Sequence, residues 1–242
     1  MQIFKLLSAL LCYPEPELLT ALPTLREQLA TDSAHQQSLG ALSDEPVRKP
    51  QAADPEQTLE PLLTYLNSEP LIRLQENYVA TFDRSTSHSL HLFEHIHGES
   101  RDRGQAMVDL LQEYRKQGFD LSTTELPDYI PLFLEFLAQL PDTEVQALLG
   151  DAIHVLALIG HKLAAANSPY ACVFALLRLH CTTEPQAFTE PPVRDMDEAL
   201  ETFGAGTDGV EPLLRPTMTH TMQFHAKPTQ PTELKRRPLH PC

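Results

Sequence analysis

Histidine and carboxylate side chains crowd one stretch of the chain, Tyr78–Met107, which reads YVATFDRSTSHSLHLFEHIHGESRDRGQAM. Within it His88, His91, His95 and His97 lie among Glu94, Glu99 and Asp102. His91 and His95 are four residues apart, so a helix would set them on one face, with His88 one turn earlier. Imidazoles at this spacing can ligate zinc or another borderline metal. One reading is therefore a metal-dependent helical enzyme built on His88, His91 and His95. Two features count against it. Glu94 directly precedes His95 instead of following His91, so the H-E-x-x-H order is absent. Leu90, Leu92, Phe93 and Ile96 fill the remaining positions and give the segment a packing role.

The second half of the stretch sets Glu99, Ser100, Arg101, Asp102 and Arg103 between Gly98 and Gly104. Opposite charges at this density pair with each other or offer hydrogen-bonding groups to a partner. Gly98 permits a sharp backbone break. Ser100 is placed to cap a following helix, and Arg103 could reach Glu94 or Glu99. Other catalytic patterns are missing: there is no G-x-S-x-G, no phosphate-binding loop and no G-x-G-x-x-G. Four Cys occur, without a C-x-x-C pair or zinc-ribbon spacing, and they read as reduced thiols.

These residues need elements to position them, and the pattern is helical almost throughout the first 182 residues. Ile3, Phe4, Leu7, Leu10 and Leu11 follow helical spacing and stop before Pro14; they read as an amphipathic first helix, not a secretion signal. Leu18, Leu22, Leu25 and Leu29 make a second helix, interrupted at Pro23. Residues 32–57 lose all periodicity and read as a long mobile loop. Further helices are expected near 59–67, 71–82, 88–97 and 102–117, the last stopped by Gly118. The segment ELPDYIPLFLEFLAQLP is apolar on two faces, one of them Tyr129, Leu132 and Phe136. Such a helix is central to the core or lines a groove that receives another chain, including a second copy of itself. Val145 to Leu163 and Tyr170 to Cys181 read as an antiparallel pair. No uncharged apolar run reaches membrane-spanning length, because Asp151, His154, His161 and Lys162 interrupt the nearest candidate.

Beyond residue 182 the composition shifts. Nine of the 21 Pro lie between Pro185 and Pro241, and only Met196 to Phe203 has a helical pattern. The expectation is all-α: a single-domain helical bundle over 1–182 and a Pro-rich, largely disordered extension over 183–242. The net charge of −15 repels phosphate backbones and excludes nucleic acid as a natural partner, while favouring a basic peptide.

Three ordered motifs carry a resemblance: Tyr78-Val79-Ala80-Thr81-Phe82-Asp83, then SLHLFEHIHGESRDRGQAMVDLL from Ser89, then ELPDYIPLFLEFLAQLP from Glu125, with LLSALLCYPEPEL near the start. In these the chain resembles the TorD-like chaperones, specifically those that assemble membrane-bound respiratory nitrate reductase. The resemblance covers most of residues 1–180. It implies a helical, non-catalytic cytoplasmic protein that binds the apo catalytic (alpha) subunit at its basic, partly apolar N-terminal segment. The client would be held until the molybdenum cofactor is inserted. It implies no cofactor held by this chain and no membrane insertion, with cofactor-biosynthesis proteins as further candidate partners. On this reading the apolar lining is Leu92, Phe93, Tyr129, Leu132 and Phe136. The polar contacts are Asp83, Glu94, His95, His97, Glu99, Arg103 and Glu135.

Overall fold

The computed structural model describes residues 2–40, 54–98, 100–122, 124–186 and 237–239. Helix α1 (Gln2–Leu10) buries Phe4, Leu6, Leu7 and Leu10, the face its spacing predicts. It lies against α7 (Ile130–Leu137), and the Ser8 hydroxyl donates to the Pro131 carbonyl at 2.7 Å. Helix α2 (Pro16–Gly40) runs past Pro23 without a break. The expected loop at 32–57 is thus shortened at both ends. Residues up to Gly40 are helical and α3 begins at Pro55, leaving 41–53 outside the described residues.

Helix α3 (Pro55–Ser68) starts where a cap allows it. Asp54 accepts the Glu56 amide at 3.1 Å, and Pro55 occupies the first helical position, where no amide donor is needed. Its Leu59, Leu62, Leu63 and Leu66 are buried, and α3 packs on α2 and α9. Helix α4 (Leu71–Tyr78) passes directly into a π-helical turn, Val79–Asp83. A 3-10 turn (Thr86–His88) and helix α5 (Leu92–His97) follow. Gly98, at φ 55° and ψ −130°, ends α5 in a conformation that a Cβ would oppose. Helix α6 (Arg101–Lys116) is capped by Ser100, which accepts the Asp102 amide at 3.2 Å, and stops at Gly118 with φ 85°.

Helix α7 decides the two-faced segment in favour of the core. Ile130 to Leu137 is buried at every position but Glu135. Its second stripe faces Tyr114 and Phe119: the Phe136 ring lies 4.4 Å and 5.7 Å from theirs. No apolar face of α7 is left for a partner groove or a second copy. Helices α8 (Asp142–Ala165) and α9 (Ala171–His180) form the antiparallel pair, joined at Asn167 with φ 54°. Helix α8 is long and apolar enough to cross a membrane by composition alone. Its Leu149, Ile153, Leu156 and Ile159 are fully buried against neighbours, which makes it the core helix of the fold.

Two three-residue strands escape any sequence pattern: β1 (Phe119–Leu121) pairs in parallel with β2 (Arg237–Leu239). The expected helix at Met196 to Phe203 lies outside the described residues. Cys12 is disulfide-bonded, against the expectation of reduced thiols throughout, while Cys172 and Cys181 are free and half-buried.

Candidate functional site

The junction of the π-turn with the segment leading into α5 forms a cleft of about 440 Å³. Tyr78 and Phe82 come from the end of α4 and its π-turn, with ring centroids 4.9 Å apart. A continuous α-helix would turn these side chains differently; the extra residue of a π-turn is a recurring device at functional sites. Tyr13 stands edge-on to Tyr78 at 5.5 Å. The Tyr78 hydroxyl donates to the Leu11 carbonyl at 2.8 Å, which fixes the ring. Having spent its proton there, Tyr78 can only accept from the Tyr129 hydroxyl, 3.5 Å away. Burial raises both phenols above the usual tyrosine range, Tyr78 far above it.

The opposite wall is Ser89, Leu90, His91 and Glu94, with Glu125 and Tyr129 closing one end. The Ser89 hydroxyl donates to Glu94 and orients that carboxylate. With Asp83 on the rim, three carboxylates face a space walled by Tyr13, Tyr78, Phe82 and Tyr129. Carboxylates beside aromatic faces attract a cationic side chain by charge and by the ring quadrupole together. The arrangement suits the binding of a cationic group.

A buried clamp joins the His91 wall to the Tyr129 end. Asp128 is fully buried; its carboxylate accepts the Phe93 amide at 3.1 Å and meets His91 Nδ1 at 3.3 Å. The Arg103 guanidinium lies 4.0 Å away. Backbone bonds reinforce it: the Leu92 amide donates to Asp128 O, and the Ile130 amide to Leu90 O at 2.8 Å. His91 and Tyr129 form an isolated antiparallel bridge, their rings 5.5 Å apart.

Of the residues expected to contact a partner, the structure brings Asp83, Glu94 and Tyr129 together in the cleft. Leu92, Phe93, His95, Leu132 and Phe136 are 0–1% exposed. This corrects their placement on a groove: they are core residues and offer no surface to a partner. His97, Arg103 and Glu135 are half-buried and do not line the cleft, and Glu99 lies outside the described residues. The histidine trio does not share a helical face, because His88 sits in the 3-10 turn and His91 precedes α5. Their nitrogens are engaged apart: His88 with Thr81 O, His91 with Asp128 and His95 with Ser89 O. Among the described residues no group of three His, Cys, Asp or Glu could hold a metal.

Sequence reasoning missed Tyr13, Tyr78, Phe82, Ser89 and Glu125 as site residues, and Asp128 as their support. Asp128 had one available signal: a carboxylate in the turn immediately before the most apolar helix of the chain.

The pattern of the family described as nitrate reductase delta subunit matches residues 49–175, which include every cleft residue except Tyr13. The chain is 53% identical over 103 residues to the nitrate reductase molybdenum cofactor assembly chaperone NarJ of Escherichia coli K12, covering 43% of this chain and 44% of that protein. It is 50% identical over 115 residues to the probable nitrate reductase molybdenum cofactor assembly chaperone NarW of the same strain, covering 47% and 50%. A probable NarJ of Bacillus subtilis is 42% identical over 65 residues, covering 27% and 35%. The matched stretches span half or less of these relatives' lengths.

Proposed function

Because the chain belongs to the nitrate reductase delta subunit family, whose pattern spans just over half of it, we propose that it is an assembly chaperone for respiratory nitrate reductase. It binds the apo catalytic subunit in the cytoplasm and keeps it competent for molybdenum cofactor insertion and later membrane assembly. The cofactor goes to the client; this chain works by holding a peptide segment. The observation that carries the reading is the cleft, where Asp83, Glu94 and Glu125 meet tyrosine and phenylalanine rings.

That combination suits a basic, partly apolar segment. The net charge of −15 draws such a segment in and raises its association rate. A cationic side chain then enters between the carboxylates and the tyrosine faces. Apolar neighbours of that side chain find Tyr13 in the cleft lining, 40% exposed. Calorimetry with a synthetic peptide of the catalytic subunit's N-terminal segment tests this. The expected result is one-to-one binding that weakens as salt screens the attraction. Folded protein that takes up no peptide at high micromolar concentration overturns the reading.

A further inference from the structure

We propose that Asp128 is a positioning residue for the cleft, acting through His91; the inference rests on the cleft being the client site. A carboxylate removed completely from water is costly to keep charged, and a fold retains one only where its partners compensate. The partners here are all parts of the cleft's support. The Phe93 amide, 3.1 Å from the carboxylate, belongs to the first turn of α5, the helix that carries Glu94. Arg103, from the first turns of α6, supplies the balancing charge. His91 is the one partner that also lines the cleft.

The chemistry of that contact fixes a proton. A carboxylate only accepts, so neutral His91 must carry its hydrogen on Nδ1 and leave Nε2 bare. The ring is then pinned between Asp128 at 3.3 Å and the Tyr129 ring at 5.5 Å, with its own amide 3.3 Å from the Ser89 hydroxyl. Ser89 is the residue that orients Glu94. One buried carboxylate therefore sets the tautomer of His91 and the spacing between the His91 and Tyr129 walls. Asparagine at 128 keeps the size and can still accept the Phe93 amide. It would turn its amide nitrogen to His91, which must then accept, and the tautomer reverses.

The test uses the full chain carrying Asp128→Asn, His91→Phe and both together, with nitrogen NMR of the neutral His91 ring and calorimetry with the client peptide. We expect the Nδ1–H tautomer in the parent and Nε2–H in Asp128→Asn. We expect the peptide to bind about tenfold more weakly to Asp128→Asn, because the charge-assisted bond that holds His91 becomes a neutral bond of reversed direction. Added to His91→Phe, the same substitution should cost less than about twofold, because it acts through the residue already removed. If Asp128→Asn does not fold, Asp128→Asn with Arg103→Gln removes the buried pair together and carries the same measurements. An unchanged tautomer, unchanged affinity, or full additivity with His91→Phe overturns the inference. Absence of peptide binding by the parent chain instead overturns the chaperone reading, and the tautomer then decides Asp128 alone.

Discussion

Helices α7, α8 and α9 bury Leu132, Phe136, Leu149, Ile153, Leu156, Ile159 and Phe174 almost without polar atoms. The cleft walls are held differently, by directed bonds among Ser89, Glu94, His91, Phe93 and Asp128. Apolar packing is non-directional and distributed over many contacts, so it specifies that the chain folds. A buried polar clamp is directional and depends on every member, so it specifies one local shape. The cleft falls on the second kind of region and rests on a scaffold of the first kind; the family match, over residues 49–175, spans both.

If that division is right, substitutions should separate stability from binding. The largest stability effect is expected at Phe136, fully buried against Tyr114 and Phe119. Phe136→Ala should lower unfolding free energy in urea by about 3–5 kcal/mol. A loss near that of an exposed position would break the comparison. The two glycines give opposite signs. A Cβ at Gly160 would come 2.6 Å from Phe174 Cβ, so Gly160→Ala should cost roughly 1–3 kcal/mol. Gly104, an exposed position of α6, has nothing within 4 Å of its Cβ site, and Gly104→Ala should stabilise by about 0.5–1 kcal/mol. Paired denaturation curves check both.

A smaller effect concerns pH. Burial pushes the His97 imidazole below its ordinary pKa, Asp102 opposes this and Arg103 adds to it. Its buried Nδ1 has no hydrogen-bond partner among the described residues. The unfolded chain therefore takes up a proton below about pH 6.5 that the folded chain resists. Stability should decline as pH falls through that point, and His97→Gln should flatten the decline. An unchanged slope in urea titrations from pH 7.5 to 5 would place the acid sensitivity elsewhere.

Much of the scaffold was legible in the sequence, because α1, α6, α8 and α9 obey helical spacing, and Gly118 and Asn167 mark the ends of α6 and α8. The extension of α2 to Gly40 was not, since residues 32–40 carry no apolar period. The π-turn was hidden because Leu74, Tyr78 and Phe82 fit an ordinary helix equally well. Glu94 and Asp83 stood out in the sequence as candidate charged contacts, and both line the cleft. The cleft was not, because it assembles Tyr13, Tyr78 and Tyr129 from three separate segments. Asp128 meets Phe93 and His91 across 35 and 37 residues of chain, a distance that no local pattern spans.

The central claim is that the acidic, aromatic cleft is where the client segment docks. Calorimetry of the parent and of Glu94→Lys with Glu125→Lys against the same client peptide tests it most directly. The account predicts affinity lost by at least about tenfold, with both proteins still unfolding cooperatively in urea. Equal affinity in the two proteins would contradict it.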